Sequence, residues 1–174
     1  MQRGNMLTRD EIYHSISSIP DPEIPVITID ELGILRDVRI SGNSVEVDIT
    51  PTYSGCPAMQ AIEDDIKGML HGKGIEMVHI NTVYSPAWTT DWMAASAKEK
   101  LRSYGIAPPG MTTLVQLDAT VAQAVQPATL EEVIICPLCG SQKLKLISQF
   151  SSTACKALYQ CLDCKEPFDY FKPH

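Results

Sequence analysis

Two short cysteine pairs, Cys136-Pro-Leu-Cys139 and Cys161-Leu-Asp-Cys164, constrain the fold of this chain more than any other feature. They are separated by 21 residues. Each Cys-x-x-Cys pair places two thiolates on one tight turn. Two such turns at the ends of adjacent hairpins close a tetrahedral site with sulfur on every corner. Between the pairs, Leu144, Leu146 and Ile147 alternate weakly with polar residues, as ribbon strands do. A module of residues 131–174 holds too little apolar mass to fold alone, so a bound metal would supply its folding free energy. Ligand number and spacing point to structural Zn²⁺ at Cys136, Cys139, Cys161 and Cys164, with rubredoxin-like iron as the rival. A thioredoxin-type redox pair is disfavoured, because no βαβ pattern surrounds either motif. Five of the six cysteines fall in the last 39 residues, a crowding that reads as metal ligation before disulfides in a reducing compartment. Cys155 lies outside both pairs and reads as a buried packing residue or a spare thiol.

The length of 174 residues allows one ordinary domain, or a small domain with an appended module. Apolar residues make up 44% of the chain, enough for a packed core, yet no apolar run approaches the roughly 20 residues of a membrane span. Residues 1–10 contain no apolar stretch of signal-peptide length, so the expected location is cytoplasmic, without a membrane partner. The net charge of −7 argues against a nucleic-acid groove, which needs Lys and Arg to neutralise phosphates. The ribbon offers Tyr159, Phe168, Tyr170 and Phe171 but no basic stripe beside them. An acidic surface better suits solubility and protein partners.

The remaining cysteine, Cys56, sits in a different context. Val45, Val47 and Ile49 alternate with polar neighbours, the period of a strand with one buried face. Residues 50–55 are turn-rich, and from Pro57 the period changes, with Met59, Ile62, Ile66, Met69 and Leu70 on one helical face. Proline suits the first helical turn, where its missing N–H costs nothing. Cys56 therefore stands at the mouth of a strand-loop-helix unit, near unpaired helix N–H groups and the positive end of a helix dipole. That setting stabilises a thiolate and suits soft-metal binding, persulfide transfer or attack on an electrophile. On position alone a small buried hydrophobe remains the competing reading.

Elsewhere in the first hundred residues, Thr8 and Glu11 form a capping box, Leu7 can staple onto Ile12, and Ile12, Ile16 and Ile19 make a buried stripe ending at Pro20. Asp21-Pro-Glu-Ile-Pro25 is a stiff acidic elbow, whose plain reading is a connection with solvated carboxylates. A hairpin is expected, with arms at 34–40 and 44–49 and a turn at 41–43, and Gly33 before it should allow a positive φ or a close backbone approach. Residues 75–83 form a third strand. Residues 85–93 lead into a helix with Thr90 or Asp91 as N-cap and Ala94, Ala97, Leu101 and Tyr104 facing inward, ended by Gly105. Trp88 and Trp92 either close the core edge or line a partner surface. Residues 108–130 read as a linker, with room for a short strand or helix within 113–125. His14, His71, His79 and His174 are scattered singly, and no Glu-x-x-His pair or dinucleotide fingerprint appears, which disfavours an oxygenase active site. The expected class is thus α+β: a small α/β domain with a hairpin plus a strand and helices over 8–107, then the linker, then a ribbon over 131–174.

Asp21-Pro-Glu-Ile-Pro25, Leu32-Gly33, residues 52–57 and residues 85–93 together resemble the signature stretches of the small α/β iron–sulfur assembly family, which includes SufT-like proteins. That likeness covers roughly residues 8–107. Residues 152–159 and 166–172 narrow it to the ribbon-bearing PaaD-type (also PaaJ-type) branch, which is encoded with the phenylacetyl-CoA epoxidase complex of phenylacetate breakdown. The resemblance implies an accessory maturation factor with no turnover of its own, helping to install iron–sulfur or other metal centres, with the complex's ferredoxin-type reductase as client. It makes Cys56 the functional thiol, with Asp21 and Glu23 supporting it. It also allows a transient iron–sulfur cluster. One thiol cannot hold a cluster that wants four ligands, so a homodimer sharing two Cys56 residues, or a client supplying the rest, would complete it. The competing readings are a non-catalytic structural subunit of the oxygenase complex and a zinc-ribbon interaction module.

Overall fold

The computed structural model describes residues 7–110 and 133–173. His174, most of the expected linker and the element expected within 113–125 lie outside the described residues. The chain divides into two compact units, one through Tyr104 and one from Gly105.

In the first unit, α1 (Arg9–Ser17) opens on the expected capping box: Thr8 accepts from the Glu11 N–H, and the Glu11 carboxylate accepts from the Thr8 N–H at 2.8 Å. The helix closes at Ser18, two residues before Pro20, and Pro20 instead bridges Thr28 across the elbow. The hairpin pairs β1 (Leu35–Ser41) with β2 (Ser44–Ile49) in antiparallel register. Its loop is two residues, Gly42 and Asn43, since Ser41 already pairs with Ser44. α2 (Ala58–Gly72) then crosses over to β3 (Met77–Thr82), which pairs parallel to β2, giving the order β1-β2-β3. Parallel neighbours cannot be joined by a tight turn, so the helix between them is a topological necessity. α1 packs on β1 and α2, and α2 packs on β3.

Alternation along β2 is complete. Val45, Val47 and Ile49 are buried, while Glu46 and Asp48 face the opposite side. There Asp48 stands across from Asp37, a like-charge pair that would destabilise the hairpin by itself. Arg39 resolves it, reaching Asp48 at 2.6 Å and Asp37 at 3.0 Å, and Arg9 adds a second contact to Asp37 at 2.9 Å. The Arg9 hydrogen bond holds the Asp37 carboxyl below its usual range, and Arg39 does the same for Asp48.

Two expectations for the last helix are corrected. Thr90 and Asp91 lie in a separate 3₁₀ turn (Thr90–Trp92) capped by Thr89, and α3 (Ala95–Tyr104) starts later. The Ala94 carbonyl accepts the first bonds of that helix, so the chain turns twice where one start was expected. Tyr104 is 56% exposed, because the inner face of α3 is filled by Ala97 and Leu101. Trp88 closes the core edge, its indole N–H donating to the Leu32 carbonyl at 3.0 Å. At Gly33 both expected features occur together. Its φ is +77°, and a Cβ there would lie 2.9 Å from the Trp92 Cβ.

The second unit has four strands, β4 (Ile106–Ala107), β5 (Leu144–Ser148), β6 (Lys156–Cys161) and β7 (Pro167–Phe171), in the order β4-β7-β6-β5. Residues 106 and 107 pair parallel with Asp169 and Tyr170, so the end of the segment read as the first domain forms an edge of the second unit's sheet. The small core gathers Ala107, Cys136, Ala157, Cys161, Phe168 and Tyr170. Lys156 is buried and compensated by Asp169 at 3.2 Å.

Gly33→Ala should cost about 3 kcal/mol in denaturant unfolding, combining left-handed strain with overpacking against Trp92. Gly42→Ala shares the positive φ (+61°) but meets nothing within 4 Å, and should cost only about 1 kcal/mol. Equal losses in the two variants would show that the Trp92 contact carries no energy. For acid stability the sign follows from the lowered Asp37 and Asp48 carboxyls. Their contribution is complete above the ordinary carboxylate range near about 3.9 and is lost as pH falls through the depressed values. Melting temperature between pH 6 and 2 should therefore drop less steeply in Arg39→Gln than in the wild type, and parallel curves would contradict the network's role.

Candidate functional site

The two Cys-x-x-Cys turns are built alike. In the first, the Cys136 carbonyl accepts from the Gly140 N–H at 3.0 Å, and Gly140 has φ +76°. In the second, the Cys161 carbonyl accepts from the Lys165 N–H at 3.0 Å, and Lys165 has φ +70°. A left-handed residue four positions after the first cysteine closes each loop so that both thiols point inward. The parallel between Gly140 and Lys165 is readable in the sequence once the two motifs are aligned, though lysine masks it. Only the second turn is a hairpin tip, between β6 and β7. The first precedes β5 and is held by the Cys136 N–H donating to the Ser141 carbonyl at 2.9 Å.

Asp163 joins the two turns. It accepts from the Ser141 hydroxyl at 2.7 Å and pairs with Lys143 at 3.3 Å, and the Leu162 N–H donates to the Lys143 carbonyl at 2.8 Å. These cross-links bring the sulfurs of Cys136, Cys139, Cys161 and Cys164 within 4.8 Å of one another. The Cys136–Cys164 and Cys139–Cys161 separations are 3.9 and 3.5 Å. A Zn–S bond of about 2.3 Å sets tetrahedral sulfurs about 3.8 Å apart. The 3.9 and 3.5 Å pairs lie within a few tenths of an ångström of that spacing, and sulfurs as far apart as 4.8 Å close by about 1 Å, so the donor set fits Zn²⁺ after a small contraction. The backbone N–H of Cys164 is the first cause pulling the Cys161 thiol down to about 6, favouring the thiolate a metal requires. Cys164 is helped by the Glu166 N–H, but burial and the neighbouring sulfurs outweigh it and push that thiol up to about 12. Four thiols this close cannot all ionise without a cation between them. Cys155 is buried away from this group, its sulfur 3.0 Å from the Thr153 hydroxyl.

Cys56 belongs to the first unit and stands half-buried just ahead of α2, its N–H donating to the Tyr53 carbonyl at 3.2 Å and its carbonyl accepting from Met59 at 3.5 Å. Pro57 is the N-cap, with helical φ and ψ and no side-chain cap bond. Cys56 lines a depression of about 480 Å³ whose other walls include Ser54, Gln60, Glu63, Thr82 and Tyr84. Tyr84 is 63% exposed at its rim, and Glu63 pairs with Lys67 at 3.4 Å. Neither Glu63 nor Tyr84 was singled out from sequence. Glu63 looks like one more exposed helix carboxylate, and only the parallel β2–β3 pairing brings Thr82 and Tyr84 round to the thiol. Asp21 and Glu23 are not among the residues lining this depression. Asp21 is buried, contrary to the solvated reading, and its carboxylate accepts from the Glu23 and Ile24 N–H groups at 2.9 and 2.8 Å. Its own N–H donates to the Ile27 carbonyl, so Asp21 folds the elbow into a closed turn.

A small α/β unit with a cysteine at a strand-to-helix turn, followed by a four-cysteine ribbon, is also the composition that comparison with known proteins returns. Residues 9–81 match the family model described as iron-sulfur cluster assembly protein, and residues 121–172 match the PaaD zinc beta ribbon domain. A protein of Escherichia coli (strain K12), named as a putative 1,2-phenylacetyl-CoA epoxidase subunit, is 46% identical over 93% of this chain and 91% of its own. Fe-S protein maturation auxiliary factor SufT of Staphylococcus aureus (strain USA300) is 39% identical over 45% of this chain and 90% of its own. Among solved structures, the DUF59 domain of Bacillus anthracis aligns with 53% of this chain and 90% of that one, at 29% identity and a TM-score of 0.49. The chain belongs to the iron–sulfur cluster assembly family, in the PaaD-type branch that carries a zinc β-ribbon. Structural zinc is the cofactor such a ribbon takes.

The purified protein should contain about one zinc per chain, as one tetrahedral four-thiolate site requires. A Cys136→Ser, Cys139→Ser double variant should lose the zinc and the ribbon's strand signal, while the first unit keeps its helical circular dichroism. Iron in place of zinc, or zinc retained by the double variant, would defeat the ligand assignment.

Proposed function

We propose that this chain is an accessory factor for maturing iron–sulfur or other metal centres of a phenylacetyl-CoA epoxidase system, acting on its ferredoxin-type reductase and turning over no substrate itself. The observation that carries the reading is the pairing of an iron–sulfur assembly unit with a PaaD-type ribbon, in one chain 46% identical to a protein named as an epoxidase subunit. Cys56 is the thiol that receives soft metal or a transient cluster, because it is half-buried beside an open depression at a helix start. A helix N-terminus favours the anionic form of a ligand placed there. Asp21 and Glu23 support the site by shaping the elbow. Further cluster ligands come from the client or from Cys56 of a second copy, since a cluster needs about four. The site is cytoplasmic, in keeping with six cysteines none of which forms a disulfide. Among the described residues no helix is long and apolar enough to cross a membrane.

A second reading, a non-catalytic structural subunit, is favoured by the name of the E. coli relative, which makes that protein part of an epoxidase. A third, a ribbon that mainly docks on partners, is favoured by exposed Leu138 and Leu162 on the two cysteine turns.

Cys56→Ala deletes the soft ligand and keeps a small residue at the helix entry, so stability should fall by only about 1 kcal/mol. The co-expressed reductase should then accumulate with less iron and sulfide. A fully loaded reductase beside a stable Cys56→Ala protein rules out delivery through Cys56. A client defect that tracks a large fall in melting temperature marks Cys56 as structural. Loss of substrate oxidation with a loaded reductase favours the structural-subunit reading.

A further inference from the structure

The first unit places an arginine where it has no acid to pair with. Arg9 and Arg39 both lie on carboxylates. Arg36 does not: among the described residues its side chain makes no hydrogen bond or ion pair, and its Nη1 is shut from solvent without an acceptor. In a chain of net charge −7 an unpartnered guanidinium is anomalous. A buried donor without an acceptor carries a free-energy penalty, and such groups call for an explanation.

The surroundings are built around this side chain. The β1–β2 register passes from Leu35–Ile49 directly to Asp37–Asp48, so Arg36 is the extra residue of a β-bulge. Bulges re-aim a side chain away from the ladder's alternation. The guanidinium lies over the Trp92 indole, with Cζ 3.9 Å from the ring centroid. Trp92 is held by the Thr89-capped 3₁₀ turn and comes close to the backbone because residue 33 is glycine. A depression of about 300 Å³ opens here, lined by Asp30, Gly33, Leu35, Arg36 and Trp92.

The chemistry of the walls selects an occupant. Stacking uses the face of the guanidinium and Nη1 is shut in, so the edge left open is the Nε–Nη2 side, a planar fork that carboxylates match. The charge is permanent, so the site is cationic at every physiological pH. Asp30 adds one negative charge to the same depression, and one of its oxygens already accepts from the Tyr13 hydroxyl. Burial, and then the Asp30 bond, pushes the Tyr13 phenol up to about 12, so this donor stays in place. Doubling an anion's charge doubles its attraction to Arg36 and its repulsion by Asp30 alike, so selection rests on the planar fork and on a donor for Asp30. A polypeptide carboxylate has a backbone N–H within a few bonds, which can be donated to the second Asp30 oxygen.

We propose that the Arg36–Trp92 depression binds a carboxylate presented by a partner polypeptide, Arg36 donating to the carboxylate and Asp30 accepting from a neighbouring backbone N–H. The site is separate from the Cys56 depression and shares none of its lining residues. It would dock a client while leaving the thiol open.

The test uses the zinc-loaded full chain at constant ionic strength, read by tryptophan fluorescence. Four probes are titrated: a capped tripeptide with one aspartyl side chain, its asparaginyl counterpart, a tripeptide whose only carboxylate is its C-terminus, and inorganic phosphate. Saturable change is expected with one or both carboxylate peptides, and which of them binds identifies the source. The asparaginyl peptide should give none, and phosphate should bind more weakly. Arg36→Lys keeps the charge, loses the fork and should weaken binding about tenfold, whereas Arg39→Lys should not change it. No saturable change, equal binding of the asparaginyl peptide, tighter binding of phosphate, or an unaffected Arg36→Lys each overturns the proposal. Should Arg36→Lys melt early, the wild type still decides by NMR. The Trp92 indole N–H and Arg36 Nε–H signals must move with the carboxylate peptide, and shifts confined to other residues overturn the site.

Discussion

The parallel pairing of β2 with β3 is the constraint on which the first unit depends. β2 is the middle strand, and its Val45, Val47 and Ile49 are buried. A parallel neighbour obliges the chain to travel the length of the sheet before pairing again, and α2 makes that return with Ile62, Ile66 and Leu70 buried. The helix must therefore begin just beyond the carboxyl end of β2, and Cys56 lies in that turn. Open α/β sheets bind their ligands at this edge, because strand ends and helix starts leave backbone groups free to face a guest. The position of the thiol is thus a consequence of topology.

The second unit solves a different problem. Its core cluster is six buried residues, two of them metal-site cysteines. Tyr159 and Phe168, directly opposite across β6 and β7, stack at 6.1 Å, and Tyr170 meets Tyr159 edge-on at 5.8 Å. This remains a slight core for some forty residues, which is why four sulfurs converge at its end. A metal that closes the ribbon also fixes Leu138 and Leu162 in place on the two turns. Folding free energy and an exposed apolar surface come from one ligand set.

Charge is arranged so that the thiol and the sheet do not compete. The carboxylates of β1 and β2 are gathered onto the face opposite the core and tied to Arg9 and Arg39. Asp21 is turned inward, where its two backbone bonds close the elbow. These acidic groups are thereby engaged as structure, while Arg36 is left over on a bulge with an aromatic partner and no acid. Among the described arginines Arg36 is the one without a carboxylate, and the depression it lines is where the proposed docking falls.

Local rules alone settled much of this chain. The capping box at Thr8 and Glu11, the alternation of β2, the helix after Pro57, the demand for glycine at position 33 and the paired cysteine turns are all short-range facts. Each depends on residues a few positions apart, where period, φ preference and ligand spacing act directly. The motifs also sufficed to recognise the family, since those stretches carry the same local geometry wherever they recur. Tertiary structure decided what depends on distant strands meeting. It brought Thr82 and Tyr84 to the Cys56 depression and drew Ile106–Ala107 into the ribbon sheet. It turned Asp21 from a solvated loop carboxylate into a buried turn closer, and it started α3 at Ala95 because the 3₁₀ turn took Thr90 and Asp91 first. The bulge at Arg36 was invisible for the same reason: a register shift is a property of two strands, and neither sequence alone contains it.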